Sequence, residues 1–168
     1  MEQSQSDKKT RDTKVVFICT GNTCRSCMAE GIFRAISSQE AEKSGFTTMS
    51  RGINAYDGDP ASEHAVKALK TLWNIDISVH EAKMLEHGDA LHADLLLTMT
   101  RAHRDTLKIK YPDKQSSIFT LKEYAYPELG QDSNELDISD PFGMPYQNYE
   151  SCAKEIFDSV KSVINKLG

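Results

Sequence analysis

The sequence predicts an α/β fold in which a four-stranded parallel sheet is covered by helices on both faces. Short apolar runs that suit buried strands alternate along the chain with longer segments of helical periodicity. Strands separated by helices form parallel sheets with right-handed crossovers, which gives three layers. The chain has 168 residues, enough for one domain with a sizeable core.

The first half of the chain is predicted to contain two strands and two helices. Residues 15–18 form an apolar run rich in valine that is typical of a buried strand. Ser26 is the expected N-cap of the following helix, and Gly45 is its expected C-cap. The predicted elements are a strand at 15–18, a helix at 28–36, a strand at 46–50, a loop at 51–60 and a helix that begins at Pro60 or Ser62.

The second half follows the same alternation. After an irregular link, residues 95–99 carry the apolar run expected of a central strand, and Thr100 is the expected cap of the next helix. Residues 121–139 are long and polar, which predicts a surface excursion. The predicted elements are a strand at 95–99, a helix at 101–110, a strand at 117–120 and a closing helix at 146–167. We expect Trp73 in the core and four histidines at the surface: His64, His87, His92 and His103.

Composition excludes several classes of protein. Residues 1–13 are polar and mixed in charge, which predicts a disordered arm before a single domain at 14–168. The net charge of −5 does not favour a nucleic-acid surface, and no apolar run is long enough to span a membrane. The arm lacks the apolar core of a secretory signal, so we expect a cytoplasmic protein. We also expect a monomer.

The stretch from Cys19 to Ser26 carries the strongest functional signal. It reads Cys-Thr-Gly-Asn-Thr-Cys-Arg-Ser and joins the end of the first strand to the start of the first helix. Backbone N–H groups at such a junction form a concave site that favours an anion. That setting makes Cys19 a candidate nucleophile. Arg25, six residues further on, has the planar fork that grips two phosphate oxygens.

This motif resembles the phosphate loop C-x5-R-[ST] of the low-molecular-weight protein tyrosine phosphatases, and within that family the bacterial protein arginine phosphatases. The resemblance extends from about Lys14 to the C-terminus. It implies a cysteine-dependent protein phosphatase that forms a phosphocysteine intermediate and uses no metal or cofactor. Its implied partners are phosphorylated proteins, with phosphate or another oxyanion held by the loop residues Thr20, Gly21, Asn22, Thr23, Cys24, Arg25 and Ser26.

The resemblance also assigns residues outside the loop. The sequence Asp140-Pro141-Phe142-Gly143 resembles the acid loop of the family, so Asp140 is the implied general acid, beside the catalytic Cys19 and Arg25. Ser50 and His80 match positions that hold the shape of the phosphate loop. For each of these residues the plainer alternative is an ordinary strand-end serine or half-exposed histidine.

Two positions bear on the substrate. The tyrosine-specific branch usually has a larger apolar residue at the position of Thr23, and a second aromatic residue after the one at Phe142. The small polar Thr23 and the glycine that follows Phe142 resemble the arginine phosphatases. A hydroxyl suits the nitrogens of a phosphoguanidinium group, and Phe142 is placed to stack on its plane. A tyrosine phosphatase with a neutral change at Thr23 stays the alternative.

Cys27 departs from the family pattern, which usually has proline at that position. The change creates Cys24-Arg25-Ser26-Cys27, whose C-x-x-C spacing is a redox motif in other proteins. A thiol-redox protein or redox sensor that uses Cys24 and Cys27 is therefore the alternative from another functional class. A silent phosphate-binding module is a third, although it has no chemical need for Cys19, Arg25 and Asp140 together.

Overall fold

A computed structural model describes residues 11–39 and 45–168 of the chain. The strands are β1 (Thr13–Cys19), β2 (Phe46–Gly52), β3 (Leu95–Thr98) and β4 (Ile118–Thr120). The helices are α1 (Arg25–Gln39), α2 (Glu63–Trp73), α3 (His87–His92), α4 (Arg101–Lys110), α5 (Leu121–Ala125) and α6 (Tyr146–Leu167).

The four strands form one parallel sheet in the order β2-β1-β3-β4. Because β1 and β3 lie at the centre, both are apolar on both faces, as the uninterrupted runs in the sequence predict. The predicted α/β fold with a four-stranded parallel sheet is confirmed. The carboxyl end of β1, where ligands of such folds bind, carries Cys19.

Alternate residues of β1 supply two separate cores. Val15 and Phe17 pack with α1, α2 and α6 on one face of the sheet, and Phe17 meets Phe33 of α1 edge to face at 5.8 Å. Val16 and Ile18 pack with α3 and α4 on the other face. Helices therefore cover both faces of the sheet. This packing fixes the position of the carboxyl end of β1 between the helices.

The first helix begins earlier than predicted. It starts at Arg25, and Ser26 lies inside its first turn, so the prediction that Ser26 is the N-cap is wrong. The physical reason is that the Ser26 hydroxyl is engaged by side chains of the preceding loop. By contrast, Thr100 caps α4 as predicted, because its Oγ1 accepts a hydrogen bond from the backbone N–H of His103.

Residues 121–139 are a surface excursion only in part, because several of them are exposed while others reach the core. They contain α5 and two short turns of 3-10 helix, and Leu121, Leu136 and Ile138 are fully buried. Arg101 and Arg104 of α4 donate to the backbone carbonyls of Asp132 and Gln131, and the second bond satisfies part of the buried Arg104 guanidinium. A further difference is α3, which the sequence analysis does not predict.

Trp73 lies at the edge of the core, whereas the sequence predicts it inside the core. It is only half-buried and stacks on Phe157 of α6 at 4.3 Å. β1 begins at Thr13, and Arg11 pairs with Asp94, so the fold begins before residue 14. The rest of the predicted arm, and the predicted end of the first helix just before Gly45, lie outside the described residues. Each helix within those residues is too short or too polar to cross a lipid bilayer.

Candidate active site

The loop between β1 and α1 turns its carbonyl groups away from its concave side. Three of these carbonyls accept backbone hydrogen bonds from neighbouring segments. The bonds join Ile53 to Cys19, Asn54 to Thr20 and Ser62 to Thr23, each at 2.9 Å. Since the described peptide bonds are all trans, the N–H that follows each carbonyl points the opposite way. The amides of residues 20, 21 and 24 therefore face the concave side, where an anion fits.

Gly52, the last residue of β2, allows the loop to lie against the neighbouring strand. A Cβ at this position would come within 2.5 Å of the Thr20 carbonyl oxygen and 2.7 Å of the Ala55 Cβ. Both contacts are far shorter than real Cβ atoms show, so a side chain larger than hydrogen does not fit. The absence of a side chain at Gly52 is therefore a condition for the loop's position.

Asn22 holds the loop in its curved form. Its backbone φ is 58°, in the left-handed region that asparagine tolerates better than most residues. Its side chain is fully buried and bridges two segments, because Oδ1 accepts from the Lys83 N–H at 2.9 Å and Nδ2 donates to Ser26 Oγ at 2.8 Å. Its carbonyl accepts from His80 Nε2 at 2.7 Å, which fixes the His80 tautomer.

Cys19 Sγ lies at the base of this concave side with two hydrogen-bond donors beside it. The backbone N–H of Asn22 points at the sulfur at 3.3 Å, and Ser26 Oγ lies 2.9 Å away. Because Ser26 Oγ already accepts from Asn22, its own hydrogen is available to the sulfur. Both donors stabilise negative charge on Sγ, which is the form of cysteine that attacks an electrophile.

Arg25 and Asp140 meet above the loop from opposite ends of the chain. The Arg25 side chain is almost completely buried, and its Nη1 donates to the Ile138 carbonyl at 2.8 Å. Its Nη2 lies 3.5 Å from Asp140 Oδ2. The Asp140 carboxylate is about half exposed. Arg25 follows directly on the loop that begins at Cys19, so the contact between Arg25 and Asp140 brings the predicted acid to the end of that loop.

His103 is a site residue that the sequence analysis missed. It was expected at the surface, but it is half-buried in the first turn of α4, with its Nε2 2.9 Å from Thr20 Oγ1. Burial, and to a smaller extent the nearby Arg25 cation, lowers the pKa of His103 to about 4. The imidazole is therefore neutral at pH 7. The only sequence signal was its position three residues after the helix cap Thr100.

The remaining predicted site residues are more dispersed. Ser50 is buried, but its hydroxyl donates to Glu30 Oε1 at 2.7 Å rather than to the phosphate loop. Thr23 is half-buried within the loop, with its Oγ1 3.8 Å from Cys24 Sγ. Phe142 follows Asp140 on an exposed turn, and 72% of its surface is accessible to solvent.

All four cysteines are free thiols, and three of them are held in the thiol form. Burial raises the pKa of Cys24, and it raises the pKa of Cys152 to about 12. Burial also raises the pKa of Cys27 well above its ordinary value, and the Cys27 thiol donates to the Cys24 carbonyl at 3.2 Å. Within the described part of the chain, no three acidic, cysteine or histidine side chains converge as a metal site requires.

Similarity to known proteins decides the family. The family model for low molecular weight phosphotyrosine protein phosphatases matches residues 14–168. The chain belongs to this family. It is therefore a hydrolase that uses a cysteine to remove phosphoryl groups from proteins.

Two kinds of curated relative within the family are similar to this phosphatase. The low molecular weight protein-tyrosine-phosphatase PtpB of Staphylococcus epidermidis is 35% identical over 150 residues, covering 89% of this chain and 96% of the relative. The protein-arginine-phosphatase of Bacillus subtilis is 32% identical over 154 residues, covering 91% of this chain and 95% of the relative. The family is thus clear, whereas the two named activities differ.

Solved structures give the same result for the fold. A low molecular weight protein tyrosine phosphatase from T. tengcongensis has a TM-score of 0.82 at 42% identity, covering 92% of this chain and 99% of that one. The YwlE arginine phosphatase from Geobacillus stearothermophilus has a TM-score of 0.81 at 32% identity, covering 92% of each chain.

Proposed function

We propose that this phosphatase removes phosphoryl groups from phosphoarginine residues in proteins. The observation that carries the chemistry is the convergence of the Cys19 thiol, the inward-facing loop amides and the Arg25–Asp140 pair at one end of β1. The observation that favours arginine is the small hydroxyl residue Thr23 in that loop, together with an exposed Phe142 beside the acid.

In the first step, the Cys19 thiolate attacks phosphorus and the bond from phosphorus to the guanidino nitrogen breaks. The loop amides and the Arg25 guanidinium stabilise charge on the three equatorial oxygens. The departing nitrogen takes a proton from Asp140, because an unprotonated guanidine anion is a poor leaving group. The products are arginine in the protein and a phosphoryl group on Cys19 Sγ.

In the second step, water attacks the phosphocysteine. Asp140 is now a carboxylate and accepts a proton from that water, while the bond between sulfur and phosphorus breaks. Phosphate leaves, and the Cys19 thiolate and the protonated Asp140 are restored.

Substrate selection is proposed to rest on Thr23 and Phe142. A phosphoguanidinium group is planar and polar, so a hydroxyl on the wall of the site meets its N–H groups better than methyl groups do. The Phe142 ring is exposed and therefore available to stack on the guanidinium plane. The similarity to named arginine phosphatases supports this assignment.

Tyrosine phosphatase activity is the second candidate, because two relatives with that name are 35% and 42% identical to the chain, against 32% for the two arginine phosphatases. The redox alternative is less favoured. Cys27 is buried in the core and its raised pKa keeps it protonated, whereas the attacking thiol of a redox pair needs thiolate character. A Cys27→Ala variant that retains phosphatase activity separates the two classes.

The test compares kcat/KM for a phosphoarginine peptide and a phosphotyrosine peptide of otherwise identical sequence, under reducing conditions. Cys19→Ala provides the blank. We expect a clear preference for phosphoarginine, which falls by about tenfold or more in Thr23→Ile because the hydroxyl is replaced by a bulky apolar group. A preference for phosphotyrosine would overturn the substrate assignment, and turnover that survives in Cys19→Ala would overturn the mechanism.

A further inference from the structure

The acid Asp140 stands on a turn that few direct contacts hold. Its Oδ2 lies 3.5 Å from Arg25 Nη2, and its Oδ1 accepts a hydrogen bond from the Phe142 N–H at 3.1 Å. The second contact is local to the turn and moves with it. The position of the carboxylate relative to Cys19 therefore depends on how the chain enters the turn.

The chain enters through Ile138, which is fixed on both sides of its backbone. The side chain of Ile138 is fully buried. Its N–H donates to the carbonyl of Met99, just after β3, at 2.9 Å, and its carbonyl accepts from Arg25 Nη1 at 2.8 Å. This residue thus links the sheet, the phosphate-gripping arginine and the acid turn.

One residue earlier, Asp137 is bound by Arg101 at the start of α4. Asp137 Oδ1 accepts from the Arg101 backbone N–H at 2.8 Å, and Asp137 Oδ2 accepts from Arg101 Nη2 at 3.0 Å. Arg101 Nη1 also donates to the Asp132 carbonyl at 2.8 Å. Although burial acts to raise the pKa of Asp137, the hydrogen bonds from Arg101 lower it overall. Asp137 is therefore ionised at neutral pH, and the pair is charge-assisted.

We propose that Arg101 and Asp137 form a clamp that positions Asp140 for proton transfer, which makes Asp137 a positioning residue of the acid turn. The clamp ties the turn to α4, which begins just beyond the end of β3 and contacts the phosphate loop through His103 and Thr20. This inference rests on the proposed role of Asp140 as the general acid. A displacement of about 1 Å at a reacting group is enough to lower the rate of a positioned proton transfer markedly.

The experiment uses two substrates that differ in how much they need the acid. Para-nitrophenolate leaves with little help from protonation, whereas the phenolate of phenyl phosphate needs it. Because kcat/KM covers the steps up to departure of the leaving group, it reports the step in which Asp140 gives its proton. We expect Asp137→Ala to lower kcat/KM about tenfold for phenyl phosphate and less than about twofold for para-nitrophenyl phosphate.

A matched control is available at Asp94, far from the site. Like Asp137, Asp94 accepts from an arginine fork, that of Arg11 at 3.0 and 2.7 Å, and from a backbone N–H, that of Lys14 at 2.8 Å. Its side chain is 30% exposed, against 36% for Asp137. We expect Asp94→Ala to lower Tm as Asp137→Ala does, but to leave the ratio of the two kcat/KM values unchanged.

Asp137→Asn provides the conservative replacement. It keeps an oxygen that accepts the Arg101 backbone N–H, so we expect it to recover most of the activity on phenyl phosphate. Asp140→Asn is the reference for complete loss of the acid. It should lower kcat/KM for phenyl phosphate more than Asp137→Ala does, again with a smaller effect on para-nitrophenyl phosphate.

The outcomes separate this inference from the function on which it rests. Suppose that Asp140→Asn lowers kcat/KM mainly for phenyl phosphate, whereas Asp137→Ala lowers kcat/KM equally for both substrates or for neither. The clamp is then wrong and the acid assignment stands. If Asp140→Asn itself lowers kcat/KM equally for both substrates, the acid assignment fails and the clamp fails with it.

Discussion

At the scale of single residues, the phosphate loop depends on side chains whose size and conformation are fixed by their neighbours. Asn22 illustrates this, since one buried amide joins the loop to Ser26 and to the backbone of Lys83. Its left-handed backbone is predictable from the sequence, because asparagine inside such a loop is suited to that conformation. Its contact with residue 83 is not predictable, because nothing in the local pattern indicates which distant segment it meets.

We predict that Gly52→Ala displaces the phosphate loop. The new Cβ would lie 2.5 Å from the Thr20 carbonyl oxygen, and backbone cannot move away as a flexible side chain can. The expected result is a loss of about 1 to 3 kcal/mol in the free energy of unfolding and a fall of about tenfold or more in kcat/KM. Urea unfolding and steady-state kinetics measure these two quantities.

Gly88→Ala is the control for this change. Gly88 lies in α3, and the nearest atom to an added Cβ is 4.0 Å away. Alanine is also the better helix former, so stability should be unchanged or slightly higher. Equal effects of the two substitutions on activity would show that the close approach at Gly52 is unimportant.

We predict that His103 makes the folded state sensitive to mild acid. Its pKa falls from an ordinary value of 6.5 to about 4, so between these pH values the unfolded state binds a proton that the folded state does not. Stability is therefore lost as pH falls through this window. Arg25 opposes the charged imidazole, whereas Asp137 and Asp140 favour it.

The comparison is wild type against His103→Gln, which keeps a donor near Thr20 but does not titrate. The free energy of unfolding of the wild type should fall by about 1 kcal/mol relative to the variant between pH 6.5 and pH 4, because the half-exposed ring is partly screened by solvent. Urea unfolding at a series of pH values measures it. A difference that stays constant across this window would contradict the assignment.

At the scale of elements, the segment from α5 to the acid turn is held by ionic contacts with α4. Arg104 and Glu123 are each 7% exposed at their side chains, and Arg104 Nη1 lies 3.2 Å from Glu123 Oε2. Glu123 also closes the capping box of α5 with Thr120. The sequence of this segment misleads because its buried residues are isolated among polar ones and follow neither helical nor strand periodicity.

We predict that Glu123→Ala lowers the free energy of unfolding by about 3 kcal/mol, because it leaves the Arg104 charge buried with fewer partners and removes one half of the α5 capping box. Glu150→Ala, which breaks the exposed pair of Glu150 with Lys154 in α6, should lower it by less than about 0.5 kcal/mol. Urea unfolding gives both values. Similar losses in the two variants would mean that the buried pair does not hold the segment.

At the scale of the whole molecule, the sequence was sufficient for the sheet, the nucleophile loop and the family, because each rests on a local pattern. The apolar runs marked the strands, and the spacing of Cys19 and Arg25 marked the loop. The rest depends on contacts across the chain. Arg25 meets the carbonyl of Ile138, 113 residues away, and Thr20 meets His103, 83 residues away. No local pattern specifies such pairings, which explains why His103 and the clamp at Asp137 were not predicted.

The proposed reaction transfers the phosphoryl group of phosphoarginine to Cys19. The direct test is rapid mixing of the wild-type protein with a phosphoarginine peptide, followed by a denaturing quench and mass spectrometry of the digested chain. We expect a phosphoryl group on Cys19 that appears before free phosphate reaches its steady rate of release, and none in Cys19→Ala. Release of phosphate from the peptide while Cys19 stays unmodified at every time point would contradict a phosphocysteine intermediate.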